Sequence, residues 1–436
     1  MNRFIIGSRG GDCGAGGCWI QREVFAASVG VHPWLDVLSQ DDGGLISLRQ
    51  LLADAARFGR VNNRVLDLAT NVIRKSSRER QADSVLRAEL KAARGVTADI
   101  SRDTARTLFA YFRWRGWLDA ASPVADQLTE ALALQRRFAE EPASFSDEEL
   151  LSRAIPAWVA EAVAVTPQWV RDLQTQPRLW LRARVGERHS LTMALGDCGI
   201  PSDRELGEVV EYQGEQDLFS TPSFHAGDFE LQDISSQIVG LVCAPKPGET
   251  WWDACAGEGG KMLHLSDLMQ NKGLIWASDR ADWRLKKLKL RAARSRAFNY
   301  RAVLWDGGDR PPTKTKFDGV LVDAPCSGVG TWQRNPHARW TTTAGDVAEL
   351  SQVQAHLLRT AAGSVKPGGR IVYSVCTLTR AETSEIASGF SREFPAFTPE
   401  PLGNPLDRSA APTPELWLWP AHGGSGMFIA SWRRAK

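Results

Sequence analysis

No stretch of this 436-residue chain holds the roughly 18 consecutive apolar residues that a membrane-spanning helix needs, which excludes a span on length. The opening MNRFIIGSRGGDCGAGGC carries an apolar run too short for a signal-peptide core. A cytoplasmic location is therefore expected, with the seven cysteines as reduced thiols. Metal ligands at useful spacing are lacking as well. Cys13 and Cys18 form the only closely spaced cysteine pair, and no second Cys or His pair accompanies them, which argues against a zinc site. Excess charge is also missing: 53 Lys and Arg against 51 Asp and Glu give a formal +2, so the total predicts no polyanion-binding tail. Repeats and low-complexity tracts are absent.

What is present is locally concentrated. RLKKLKLRAARSR (284–296) carries seven basic residues and no acid, and PRLWLRARVGERH (177–189) carries four arginines. Each fits either a phosphate-binding surface or a solvated helix face. Residues 1–43 are glycine-rich without a sustained period and are expected to form a disordered lead-in; an in-frame start further downstream would account for them equally well. From 44 to 142, stretches from LISLRQLLADAARF to ADQLTEALALQRRFAEE repeat apolar residues at three- and four-residue steps, predicting an all-α domain. Residues 143–225 mix short helices with a strand, RLWLRARV, and read as a small α/β subdomain. From 226 to 436, strands alternate with helices, the pattern of a doubly wound parallel sheet; ELWLWP and GMFIASWRR close it as an antiparallel pair.

DACAGEGGK (253–261) follows the first of these strands and opens a helix, with Gly257, Gly259 and Gly260 allowing close backbone approach to a ligand. Asp279 is expected to end the second strand, 26 residues after Asp253, where an acid can accept both hydroxyls of a ribose. Asp306 is expected to end the third strand and Asp323 the fourth. Four acids at successive strand ends face the crevice where such sheets bind ligands, and predict a nucleoside-type cofactor. Glu258 sits where a pyrophosphate would have to be cradled and would repel it. S-adenosylmethionine, which carries no phosphate, is therefore favoured over a dinucleotide.

Cys326, in VLVDAPCSGVG, and Cys376, in IVYSVCTL, follow two neighbouring strands and open toward the same crevice. Thiols beside a methyl donor suggest methylation of cytosine at carbon 5. That carbon becomes nucleophilic only after a thiolate adds at carbon 6, and a base must then remove the carbon-5 proton. The bland alternative is a pair of buried cysteines serving as small hydrophobes.

DACAGEGGK, ASD, VDAPCSGVGTWQRNPHARW, KPGGRIVYSVCTL and GMFIASWRR resemble the motifs of the Sun/Fmu-type RNA (cytosine-5)-methyltransferases, known for bacterial 16S ribosomal RNA. The resemblance runs from about residue 150 to the end and is weaker over the helical domain, which looks like a NusB-like RNA-binding module. It implies a class I S-adenosylmethionine-dependent methyltransferase of Rossmann-like fold, preceded by that all-α module and the small α/β subdomain. It also implies RNA as partner, ribosomal RNA first among the choices, and a monomer.

By the same resemblance Cys376 is the nucleophile and Cys326 assists product release. Asp323 contacts methyl donor and base, and Lys261 lies beside it. Cys255, Ala256, Gly257, Glu258, Gly259, Gly260 and Lys261 hold the cofactor, Asp279 its ribose and Asp306 its adenine, with Arg284 counted among the cofactor residues. Three departures stand out. Gly257-Glu258 replaces Ala-Pro in the cofactor loop, Val375 and Thr377 flank the nucleophile where Thr and Ser are usual, and Ser425-Gly426-Met427-Phe428 replaces Asp-Gly-Phe-Phe. The competing expectations are a DNA cytosine-5 methyltransferase, disfavoured by the second cysteine and the lack of a large base-reading domain after the core, and a catalytically idle RNA-binding factor.

Overall fold

A computed structural model describes residues 62–201 and 206–436. The lead-in at 1–43, the Cys13–Cys18 pair and the expected helix at 45–58 lie outside the described residues. Among the described residues, no helix is long and apolar enough to cross a membrane.

The chain begins with α1 (Asn63–Lys75), α2 (Ala82–Ala92), α3 (Ala98–Trp114) and α4 (Val124–Glu140). Asn62 caps α1 and Thr97 caps α3 through side-chain oxygens that take up free amide hydrogens of the first turn. The apolar stripes meet in one core around Leu86, Leu108, Trp114 and Leu128. The shorter α5 (Asp147–Arg153), α6 (Val159–Ala162) and α7 (Pro167–Asp172) add Phe145, Leu150, Trp169 and Leu173 to this same core.

Next comes a four-stranded antiparallel sheet of order β2-β3-β1-β4, built from β1 (Leu179–Ala183), β2 (Cys198–Gly199), β3 (Val209–Tyr212) and β4 (Phe229–Leu231), with α8 (Arg188–Leu195) and α9 (Pro222–Ala226) between strands. The apolar residues of 145–173 need the helical core for burial, and β4 completes the small sheet by pairing with β1.

The third unit opens with α10 (Ile234–Cys243) and β5 (Thr250–Asp253), then α11 (Gly260–Leu268), β6 (Leu274–Asp279), α12 (Asp282–Arg294), β7 (Tyr300–Leu304) and β8 (Phe317–Asp323). It continues through α13 (Pro336–Thr341), α14 (Ala344–Ala362), β9 (Val365–Val375), α15 (Ser384–Glu393), β10 (Phe397–Pro399), β11 (Glu415–Leu418) and β12 (Met427–Arg434). The parallel strands lie in the order β7-β6-β5-β8-β9, followed by antiparallel β12, whose outer edge pairs with β10 and β11. Chain direction reverses its march across the sheet between β5 and β8. That switch point is the crevice where doubly wound sheets bind ligands.

One strand-end expectation needs correction. β7 stops at Leu304, and Asp306 lies two residues beyond it, exposed, its carboxylate accepting a hydrogen bond from the Gly308 amide at 2.9 Å. The turn has begun there because β7 is an edge strand with only β6 beside it.

Candidate active site

β8 and β9 run parallel with Asp323 opposite Ser374, so the two chain segments leave the sheet side by side. Asp323 is the last residue of β8. One of its carboxylate oxygens accepts from the Ser374 hydroxyl at 2.8 Å, and the other from the Lys261 ammonium at 2.7 Å. Lys261 comes from the first turn of α11, across the switch point. Burial pulls the Lys261 ammonium down, but the Asp323 carboxylate more than compensates, and the net shift is upward, keeping it charged.

Three residues past Asp323 stands Cys326, and directly after β9 stands Cys376; their sulfurs are 3.3 Å apart. The contact is asymmetric. Hydrogen bonding from Cys326 lowers the Cys376 thiol below its usual range, against the burial that opposes it, and Lys261 and Arg334 add positive charge on that side. Cys326 is pushed well up, first by its bond to Cys376 and then by burial and the Glu382 carboxylate. Of the pair, Cys376 is the sulfur whose surroundings favour the thiolate form. Cys243 and Cys255 are both raised by burial and by Asp253, and Cys198 is raised to about 11 by burial and Asp197. Among the five described cysteines, only Cys376 is lowered.

The loop from Cys255 to Lys261 runs from β5 into α11. Gly259 adopts φ +92°, and a Cβ there would come within 2.8 Å of Leu288, so only glycine fits this turn. Beside it, Gly257 borders open space, and its amide donates to the Asp279 carboxylate at 3.0 Å. The other Asp279 oxygen accepts from the Ala281 amide at 2.8 Å, which fixes the carboxylate at the end of β6. Arg284 stands 3.8 Å from Asp279, half exposed. Gly257, Gly260 and Asp279 thus form an open cradle with a fixed acid, which fits a nucleoside cofactor without phosphates; Asp306, exposed, directly follows Trp305, whose amide donates to the Asp279 carbonyl at 3.1 Å. Glu258 pairs with Lys287 at 2.8 Å, so its charge is turned toward α12.

That helix resolves one sequence ambiguity. Of its six basic residues, five pair with acids: Arg284 with Asp279, Lys286 with Asp282, Lys287 with Glu258, and Arg291 and Arg294 with Glu230. Burial tends to raise the Glu230 carboxyl, but the two arginines bring it down to about 2. The basic run mainly staples α12 to β4 and to the cofactor loop.

Two polar residues near the thiols, Arg334 and Glu382, escaped the sequence reading, and a third, Asp253, figured in it only as one of the four strand-end acids. Arg334 is held by Asp233 at 3.3 Å and by the Ser425 hydroxyl at 2.7 Å. Glu382, fully buried, accepts hydrogen bonds from both cysteine loops. Asp253, also fully buried, has no partner at hydrogen-bonding geometry, and burial together with Asp323 pushes it up to about 8. A clue to Glu382 was available in the run of Thr377, Thr379 and Thr383 around it, which offers hydroxyl donors to an acid.

The departures are structurally absorbed. Val375 packs in the apolar core of the sheet, and Thr377 reaches the Ser327 hydroxyl at 2.8 Å. The Ser425 amide and hydroxyl bind Asp233, which supplies the acid for Arg334.

Residues 240–433 match the family described as "16S rRNA methyltransferase RsmB/F". A protein named "Probable ribosomal RNA small subunit methyltransferase B" from Synechocystis sp. is 37% identical over 277 residues, 61% of this chain and 60% of that one. The mouse protein "tRNA (cytosine(72)-C(5))-methyltransferase NSUN6" is 36% identical over 219 residues, 47% of this chain and 44% of that one. The chain thus spans less than two thirds of either relative's length. A solved structure of a methyltransferase homolog protein from Pyrococcus horikoshii superposes with a TM-score of 0.52 at 26% identity, covering 62% of this chain and 90% of that one. The doubly wound unit has the class I S-adenosylmethionine-dependent methyltransferase fold. The matched stretch, residues 240–433, holds the glycine loop, Asp323 and both cysteines.

Proposed function

We propose that this protein methylates carbon 5 of a cytosine in RNA, with ribosomal RNA as the substrate class. The observation that carries this reading is the unequal thiol pair: Cys376 favoured as thiolate, 3.3 Å from a Cys326 favoured as thiol. Cytosine methylation at carbon 5 needs one sulfur to attack and a second group to accept a proton later. S-adenosylmethionine, held by the 255–261 backbone and Asp279, supplies the electrophilic methyl group.

Cys376 adds to carbon 6 of the flipped cytosine, and this bond consumes its negative charge. The main influence holding the proton on Cys326 is then gone, so Cys326 gives that proton to water and, as a thiolate, takes up the carbon-5 proton. Electrons of that C–H bond reform the 5,6 double bond, and Cys376 leaves as thiolate. Asp323, fixed by Lys261 and Ser374, presents a carboxylate at the mouth of β8 to the base and the methyl donor. The helical unit, read as a NusB-like module, and the small sheet supply RNA contacts outside the reacting base. The helical core reaches both cysteine loops through Val329 and Leu378, which supports a shared task.

The test is transfer of labelled methyl groups to RNA and to DNA by wild type, Cys376→Ala and Cys326→Ala. Cys376→Ala is expected to abolish transfer to RNA, and Cys326→Ala to accumulate a covalent protein–RNA adduct. Full activity in Cys376→Ala, or label only in DNA, refutes the proposal.

A further inference from the structure

Outside the reacting groups, the most heavily hydrogen-bonded acid near the thiols is Glu382, in the 3-10 turn after β9. It is 0% exposed and has no Lys or Arg partner within salt-bridge distance among the described residues. Instead, five donors converge on it. One oxygen accepts from the Ser327 amide at 2.8 Å and the Gln354 side chain at 2.9 Å. The other accepts from the hydroxyls of Ser327 at 2.5 Å, Thr379 at 2.7 Å and Thr377 at 3.2 Å. Ser327 adjoins Cys326, and Thr377 adjoins Cys376. The Gln354 amide also reaches the Pro325 carbonyl at 2.9 Å, on the other side of Cys326. The turn itself is fixed from below, where the Tyr373 hydroxyl donates to the Glu382 carbonyl at 2.7 Å.

A carboxylate is a pure acceptor with room for about four lone-pair contacts, so a site that offers only donors selects an acid over an amide. Burying such a group is tolerable only when every contact is made, and it then fixes its donors in place. We infer that Glu382 is a positioning residue that clamps the Cys326 loop to the Cys376 loop and thereby sets the distance between the two sulfurs. This deepens the proposed reaction and rests on the cysteine pair being its centre. The loops also touch directly, through the Gly330 amide on the Cys376 carbonyl at 3.1 Å and the Ser327–Thr377 hydroxyl pair at 2.8 Å, and Glu382 adds one buried acceptor that bonds the residues adjacent to both cysteines at once.

The test uses the full chain and two readouts. Wild type, Glu382→Gln and Ser327→Ala are equilibrated in glutathione redox buffers, and the Cys326–Cys376 disulfide is quantified by mass spectrometry; here the disulfide serves only as a gauge of sulfur proximity. Glu382→Gln keeps the volume but turns one acceptor into a donor facing the cluster. It is expected to lower the disulfide-forming equilibrium constant about tenfold, which is about 30 mV for this two-electron couple. Ser327→Ala, which removes one hydroxyl bond, is expected to shift it the same way by less. In the second readout, Glu382→Gln accumulates covalent protein–RNA adduct, as expected when Cys326 is displaced while Cys376 still attacks. An unchanged redox equilibrium in both variants overturns the clamp, and so does a shift in Glu382→Gln that merely tracks a lowered unfolding midpoint while Ser327→Ala shows none. If the redox shift occurs but wild type transfers no methyl group to any RNA and neither Cys326→Ala nor Glu382→Gln forms an adduct, the clamp stands and the RNA reading fails.

Discussion

Arg339 offers a stability prediction whose size follows from its surroundings. It lies on α13, in the segment after Cys326, and is 0% exposed. Its guanidinium bonds no carboxylate. It donates to three main-chain carbonyls, of Arg113 at 3.3 Å, Ala154 at 3.0 Å and Leu173 at 2.9 Å. These belong to the C-terminal ends of α3, α5 and α7, where carbonyls lack intrahelical partners and carry the negative end of the peptide dipoles. Burial pulls the guanidinium down to about 9, so it remains charged at neutral pH. Three charge-assisted bonds at about 1.5–3 kcal/mol each give a gross gain of about 5–9 kcal/mol, against a desolvation cost of roughly 5 kcal/mol implied by that shift. Arg339→Met removes both terms but strands three buried carbonyls, at about 1–3 kcal/mol each. A buried ion pair replaced by apolar groups can be neutral because both polar partners leave; here the carbonyls stay. The first two terms leave about 0–4 kcal/mol and the stranded carbonyls add about 3–9 kcal/mol, so the expected loss is at least about 3 kcal/mol, with Arg339→Lys in between because an ammonium lacks the planar fork. Urea unfolding of the full chain, followed by tryptophan fluorescence, measures it. A midpoint for Arg339→Met indistinguishable from wild type would refute the reasoning.

Two further predictions concern charge at the site. Asp253→Asn tests the unpartnered acid: its folded value of about 8 lies above the unfolded value near 4, so the native state keeps a proton that the unfolded chain loses. Stability from this group therefore falls as pH rises from about 4 to about 8. Asparagine should remove that slope, stabilising the ligand-free protein at pH 8 by up to about 5 kcal/mol and by nothing at pH 4, as read from denaturation midpoints across pH; a parallel pH dependence in both proteins would contradict it. Lys261→Met leaves Asp323 without its ammonium and Cys376 without a lowering charge. Alkylation of Cys376 by iodoacetamide at pH 7 is expected to slow about tenfold or more, with its pH midpoint moving up, and a midpoint that stays or falls would show that Lys261 does not act on the thiol.

The sheet was legible in the sequence because its signal is local. TWWD, LIWASD and FDGVLVD are short apolar runs ending in an acid, which buried parallel strands require, and glycines with a basic-and-apolar period follow where helices must pack. Asp306 misled because an acid after an apolar run reads the same whether the strand ends there or two residues earlier. Residues whose partners lie far along the chain were not legible. Glu382 bonds Ser327 across 55 residues, and Arg339 reaches Arg113 across 226. In one dimension, an acid three residues after a threonine and an arginine in a short helix read as ordinary surface positions.

The same distinction bears on the two thiols. The sequence offers two cysteines of similar surroundings, each after an apolar run, and only the resemblance ranks them. In three dimensions the two thiols differ first through the hydrogen bond between them, which lowers Cys376 and raises Cys326, and then through the charges on either side. Lys261 arrives from α11 and Arg334 is anchored by Asp233 ahead of α10, and both act on Cys376; Glu382 stands against Cys326. None of these is nearer than 40 residues to Cys376 in sequence except Glu382, which is six residues from it and yet acts on the other sulfur. The asymmetry between the two thiols therefore arises at the switch point, where β5 and β8 part and side chains from distant segments converge on one crevice.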